Sequence, residues 1–258
     1  MKKALLLVVS LALVVSACGI RQKDGKEPRP PAELSKIKDS FSALYRVMLE
    51  NETGEVLYAS AAGDEDESVP VAAGFSAGAE TETKERFVNK SYHYLKEILK
   101  YMENARLSMD SDVIPAEMAE NLDKTVNRLG HQINREEYRS AVKTLNDGLY
   151  LISAIMERYG QESGACVLQL EYCLNLLEIE AGDQQGMEQA LGLTAGVIKE
   201  LQDTAGESCA DELARMQKSA DSLRDAAAYD DARLVRMKVD VMRENLKNIS
   251  VLVTNGNK

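Results

Sequence analysis

Apolar residues recur at steps of three and four positions along most of this chain of 258 residues. An α-helix has about 3.6 residues per turn, so this spacing places the apolar residues on one face of a helix. The pattern extends from residue 81 to residue 254 with short interruptions. Its clearest stretch carries Tyr138, Val142, Leu145, Leu149, Ile152, Met156 and Tyr159. The sequence therefore predicts an all-α fold of six to eight helices.

The organisation of the chain follows from the same pattern. The links between the predicted helices are only a few residues long, so we expect sequential helices to be antiparallel. Both an antiparallel helical bundle and stacked helical hairpins satisfy this expectation. The segments are a first helix over 32–54, a flexible acidic and Ala/Gly/Ser-rich loop over 55–80, an all-helical domain over 81–254 and a tail over 255–258.

A bulky residue followed three positions later by alanine begins three of the predicted helices. The three occurrences are Tyr138-x-x-Ala141, Met187-x-x-Ala190 and Tyr229-x-x-Ala232. This pattern weakly resembles the second helix of tetratricopeptide repeats, which implies stacked hairpins. The occurrences are 49 and 42 residues apart, however, whereas that family repeats about every 34 residues. Bundle and stacked hairpins therefore both stay open.

The N-terminus has the organisation of an export signal. Two lysines precede an apolar run from Ala4 to Val15, which is shorter than the roughly 20 residues that span a bilayer. The run ends in Val15-Ser16-Ala17-Cys18, which resembles the lipobox of bacterial lipoproteins. The resemblance implies that a signal peptide over 1–17 is removed, that Cys18 is acylated, and that residues 18–31 form a tether. An ordinary secretory signal that contains a cysteine is the alternative.

Charge limits the partners that we expect. The chain has 31 Lys and Arg against 42 Asp and Glu, a net charge of -11. Nucleic acid needs clustered cations, so we expect no nucleic-acid binding. An acidic surface also adsorbs poorly to anionic lipid. The lipid anchor at Cys18 is therefore the predicted membrane attachment.

Three further cysteines bear on disulfide bonding. Cys166 and Cys173 are seven residues apart, about 10.5 Å along one helix, which is too far for a bond. Helices beginning near residues 165 and 208 are expected to be parallel, so Cys166 and Cys209 lie in first turns at the same end. We predict a Cys166–Cys209 disulfide and a buried Cys173 thiol. Three reduced cysteines in the core are the alternative.

Candidate catalytic groups are few. The segment from Gly74 to Gly78 (Gly-Phe-Ser-Ala-Gly) matches the serine hydrolase motif G-x-S-x-G. That motif works on a strand-to-helix turn above a parallel sheet. Val56-Leu57-Tyr58 is a short β-like piece before the motif, and nothing downstream of it predicts a sheet. His93 and His131 lack the spacing of metal ligands. We expect neither an enzyme nor a metal or other cofactor.

These observations favour a lipid-anchored protein of the bacterial cell envelope whose helices bind an envelope protein. Gly19 follows Cys18, where aspartate would resemble an inner-membrane retention signal. The expected location is the outer membrane, facing the periplasm, in a Gram-negative cell, or the outer face of the cell membrane in a Gram-positive one. The alternative function is a helical bundle that carries or senses a small apolar ligand.

Overall fold

A computed structural model describes residues 28–61, 77–205, 209–227 and 231–256. These ranges form eight α-helices and contain no β-strand, which confirms the all-α prediction. The helices are α1 Ala32–Ala61, α2 Ala77–Ser108, α3 Ala116–Asn134, α4 Tyr138–Arg158, α5 Glu162–Ile179, α6 Gln184–Ala205, α7 Ala210–Ala227 and α8 Ala232–Gly256. Residues 1–27, and with them Cys18, lie outside the described ranges. Within those ranges, no helix is both long enough and apolar enough to cross a bilayer.

The first four helices form one antiparallel bundle. Helix α1 packs against α2 and α4, and α4 packs against α3, whereas α2 and α3 meet only sparsely. The Lys36 ammonium near the start of α1 lies 5.3 Å from the centre of the Tyr101 ring near the end of α2, which shows the antiparallel order. The centre of this bundle is fully buried and includes Phe41, Leu44, Leu129 and Leu145. The bundle is therefore tight on three sides and loose between α2 and α3.

The last four helices form a second bundle. Each packs against the next, and α8 closes the ring against α5. Stacked hairpins would pair the first helix with the third, so this pairing of the first with the fourth is that of a bundle. The apolar residues of α7 and α8 recur at steps of three and four and are buried, as Leu213, Met216, Val239 and Met242 show with 0% exposure.

The two bundles are joined through four helices: α1, α4, α5 and α8. Helix α4 packs against both α1 and α5, and α5 packs against α8. Helix α1 approaches α4 closely at Gly148, where a Cβ would lie 2.2 Å from Cε2 of Phe41. A glycine at this position therefore lets the Phe41 ring lie directly on the backbone of α4.

Helix ends agree with the sequence at some glycines and not at others. Gly160 and Gly182 follow α4 and α5 with φ of 72° and 99°, a backbone conformation that favours glycine and ends helices. The predicted end at Gly54 is wrong, because α1 continues to Ala61, and Val56-Leu57-Tyr58 is helical. One internal glycine costs only about 1 kcal/mol relative to alanine, which the helix-forming residues on either side offset.

The apolar face predicted for α2 is partly wrong. The spacing of Val88, Tyr92, Leu95, Leu99, Met102 and Met109 predicts one buried face, yet Tyr92 and Leu99 are 45% and 48% exposed. The core instead receives Phe87, Ile98 and Ala105 beside the expected Leu95 and Met102. Because α2 barely meets α3, part of its apolar surface is covered by no helix of the described ranges.

Candidate functional site

Five polar side chains meet where α1, α4, α5 and α8 come together. We call them the central polar cluster: Tyr45, Asn146, Asn175, Glu178 and Arg243. The first three are 1–2% exposed and Glu178 is 6% exposed, while the Arg243 side chain is 14% exposed. Buried polar groups are costly unless they are hydrogen-bonded. The bonding within the cluster therefore decides whether it stabilises the fold.

An ion pair and two amides connect the cluster. The Arg243 guanidinium donates to the Glu178 carboxylate at 2.5 Å and to Oδ1 of Asn175 at 2.6 Å. The amide of Asn175 donates to Oδ1 of Asn146 at 3.0 Å, and the amide of Asn146 donates to the backbone carbonyl of Tyr172 at 3.1 Å. The cluster side chains on α4, α5 and α8 are thus hydrogen-bonded to one another and to the backbone of α5.

Tyr45 joins α1 to this network. Its hydroxyl lies 3.1 Å from both the Glu178 carboxylate and the backbone carbonyl of Asn175. Burial raises the pKa of Glu178, and the Arg243 charge opposes that rise. Burial and the nearby Glu178 charge also raise the pKa of Tyr45, which stays a neutral donor. These side-chain hydrogen bonds form only when α1, α4, α5 and α8 keep one axial register.

A solvent-open cleft lies beside the cluster, between α1 and α8 with α5 as its floor. It has a volume of about 320 Å³, and Tyr45, Asn175 and Arg243 form part of its wall. A smaller cleft of about 160 Å³ continues from it toward α4. We call the two together the central cleft.

A second opening follows the sparse contact between α2 and α3. This lateral cleft, about 480 Å³, is lined by Leu99, Met102, Leu107 and Val126 among others. Leu107 is 85% exposed and Leu99 is 48% exposed. Arg106 and Asp123 lie 3.6 Å apart across it. The cleft thus combines an apolar floor with charges of both signs at its rim.

A third cleft, about 450 Å³, lies where α3, α4 and α5 meet. The rings of Tyr150 and Tyr172 lie 5.1 Å apart there at an angle of 45°. Arg128 contacts Asp147 at 3.1 Å, and more than half of each side chain is exposed. Solvent-exposed pairs of this kind contribute little to stability. The tyrosines have raised pKa values because of burial.

The cysteines lie in the core, and no disulfide bond joins Cys166, Cys173 or Cys209 in the structure. Cys166 and Cys209 do belong to the same core, that of the second bundle. Their pairing stays a prediction. Burial raises the pKa of the Cys166 thiol to about 11 and that of Cys173 to about 12. Thiols with such pKa values are poor nucleophiles at neutral pH.

The other sequence candidates do not converge on one place. Gly74 to Ser76 lie outside the described residues, and Gly78 lies in the first turn of α2. His93 is on the surface of α2, 3.9 Å from Glu97, and His131 is exposed on α3. Across the described parts of the chain, no three His, Cys, Asp or Glu side chains are grouped to hold a metal ion.

Comparisons of the chain with protein-family models, curated proteins and solved structures gave no match. Function has to be inferred from the residues themselves. The central polar cluster was missed in the sequence, although one signal was present. Asn175 lies between Leu174 and Leu176, and Glu178 follows Leu177, so two polar residues interrupt the apolar run of α5. Polar residues beside the core face of an otherwise apolar helix indicate buried hydrogen bonds.

Proposed function

We propose that this protein is a lipid-anchored helical module of the bacterial cell envelope that binds a partner protein through the lateral cleft. The observation that carries the proposal is the exposure of Leu99 and Leu107 beside an open cleft between two helices. Single exposed leucines are common on protein surfaces. Two exposed leucines that border one concave, partly apolar cleft indicate a binding surface.

The shape of the lateral cleft suits an amphipathic helix of the partner. Leu99 and Leu107 are eight residues apart on α2, about 12 Å along the helix axis. A docked helix presents apolar side chains at similar separations, at positions i, i+4 and i+7. Arg106 and Asp123 at the rim offer a charge of each sign to flanking polar residues.

The location of the cleft is compatible with a membrane anchor at Cys18. Helix α1 begins at Ala32 beside the C-terminal half of α2, where Lys36 approaches Tyr101. The chain from Cys18 therefore enters the fold at the end of the bundle that carries Leu107. A tether over 18–31 reaches at most about 45–50 Å from the anchor, so a partner in the same membrane is within range.

Site-specific photo-crosslinking in intact cells tests the proposal. A photoreactive amino acid at Leu107 is expected to capture one protein, and Leu99→Ser in the same chain to reduce that capture. The matched control is a photoreactive residue at Leu193, a 41% exposed leucine on α6 in the second bundle. Surface substitutions at such sites change stability by about 0.5 kcal/mol or less, so loss of capture would report binding. Equal capture from Leu107 and Leu193 would contradict a specific surface.

A further inference from the structure

The central cleft has two chemically different ends. The larger part, between α1, α5 and α8, is lined by Lys38, Arg46, Arg243 and Lys247. The smaller part is lined by apolar side chains that include Leu34, Ile152, Met156 and Val253. The two parts share Lys38, Val167, Leu168 and Ser250, so they adjoin each other, and we call their combined length the trough.

The cationic end is unusual for this chain. Four cationic side chains line it against a single carboxylate, that of Glu171, although the whole chain has a net charge of -11. Ser42 donates to Glu171 at 2.6 Å, and Arg243 is held by Glu178 beneath the cleft. The Lys38 and Lys247 ammonium groups contact Asp39 and Glu244 on their own helices, and both lysine side chains keep substantial exposure. Asp39, Glu244 and Glu178 do not line the cleft, so the charged side chains that line this end, among the described residues, are four cations and one carboxylate.

The apolar end can hold a hydrocarbon chain. Gly164 contributes no side chain to its floor, and a Cβ there would lie 3.9 Å from the nearest neighbours, Gln161 and Met156. From Arg46 to Leu34 the trough follows α1 for twelve residues, about 18 Å. A long, narrow, half-apolar trough suits an extended alkyl chain better than a compact ligand.

From this asymmetry we propose that the central cleft binds a single-chain amphiphile with an anionic head group, of the fatty acid class. The head lies between Arg46 and Lys247, where the charges attract it, and the tail extends toward Leu34 and Val253, where it leaves water. The Tyr45–Glu178–Arg243 contacts hold the wall of the cleft in place before any ligand arrives. The site is separate from the lateral cleft, so this inference does not depend on the proposed partner binding.

Calorimetric titration of the purified full chain tests the proposal, with dodecanoate and hexadecanoate used below their micelle concentrations. Each methylene that the cleft buries is expected to tighten binding by about three- to fourfold. Lys247→Glu is expected to weaken dodecanoate binding by about five- to tenfold, because an exposed attraction becomes a repulsion. Lys199→Glu, an exposed lysine on α6, makes the same charge change away from the cleft and should leave binding unchanged.

The tail is tested separately with Gly164→Leu, which fills the apolar end. This variant should discriminate against hexadecanoate while binding octanoate as the original chain does. Equal weakening by Lys247→Glu and Lys199→Glu would overturn the head-group assignment. Binding of dodecanol as tight as that of dodecanoate would also overturn it. Inorganic phosphate and an acidic peptide are tested as anions without an alkyl tail. If either binds as tightly as dodecanoate, the cleft does not require a tail, and the proposal of an amphiphilic ligand is overturned.

Discussion

The contact between Gly148 and Phe41 makes a quantitative prediction about how α1 and α4 pack. In Gly148→Ala the new Cβ would lie 2.2 Å from Cε2 of Phe41, 2.9 Å from Cδ2 and 3.0 Å from Cζ. Carbon atoms pack comfortably at about 3.5–4.0 Å, so the ring would have to move by more than an ångström. Phe41 is 0% exposed and has core on every side. The ring cannot escape into solvent.

Two effects of opposite sign decide the outcome. Alanine is about 1 kcal/mol more favourable than glycine in a helix. Overpacking a well-packed core costs about 1–3 kcal/mol, and an overlap this deep belongs at the upper end. The net expectation for Gly148→Ala is a loss of about 2 kcal/mol of unfolding free energy. Urea denaturation followed by circular dichroism should show a midpoint lowered by roughly 1 M, with an unchanged slope.

Two glycines in α6 serve as matched controls. Gly192 and Gly196 have nothing within 4 Å of their would-be Cβ atoms. Alanine at either position is therefore expected to raise stability by about 0.5–1 kcal/mol through helix propensity alone. The double variant Phe41→Leu/Gly148→Ala should recover part of the loss, because the smaller side chain makes room, giving a coupling of about 1–2 kcal/mol. If Gly148→Ala is as stabilising as Gly192→Ala, the close packing of α1 on α4 is wrong.

Three further predictions concern other parts of the chain. In the reduced protein, the raised pKa should slow alkylation at pH 8, relative to the urea-unfolded chain, on the order of 100-fold at Cys166 and on the order of 1000-fold at Cys173. Similar rates in both states would contradict their burial. Arg243→Met leaves the Glu178 carboxylate buried without its cation and should cost about 3 kcal/mol. A Glu178 pKa that is higher in the folded than in the unfolded chain favours the fold at low pH, and this benefit is lost as the pH rises through the folded pKa. The cost of Arg243→Met should therefore be larger at pH 8 than at pH 5. A pH-independent cost, measured from urea midpoints, would argue against a buried charge. Cys18→Ala should release the protein from the membrane fraction without unfolding it, and a variant still extracted only by detergent would rule out the lipid anchor.

The apolar faces of most helices could be predicted from the sequence because they depend on local spacing alone. The stripe of α4, for example, is buried where the periodicity placed it, at Val142, Leu145, Leu149 and Ile152. Helix α2 was less predictable, since the exposure of Leu99 depends on how little α3 covers it. The spacing of residues along one helix carries no information about the distance between α2 and α3.

The central polar cluster could not be predicted for a related reason. Tyr45 and Glu178 are 133 residues apart, and Arg243 is a further 65 residues along the chain. Their meeting depends on which helices become neighbours and in which register. The central and lateral clefts are also products of that arrangement, because each is a gap between helices rather than a property of one helix. The fold class is therefore readable from the sequence, whereas the candidate sites are not.

Helix α5 has a consequence for how the protein can be divided. Its Leu168 belongs to the core of the first bundle, and its Leu170, Leu174 and Leu177 belong to the core of the second. A fragment that ends before Glu162 lacks Leu168 and leaves part of the first core open to water. A fragment that begins at Glu162 exposes Leu168, which belongs to the first core in the intact chain. We therefore expect the two bundles to unfold as one cooperative unit, and neither half to fold when it is expressed alone.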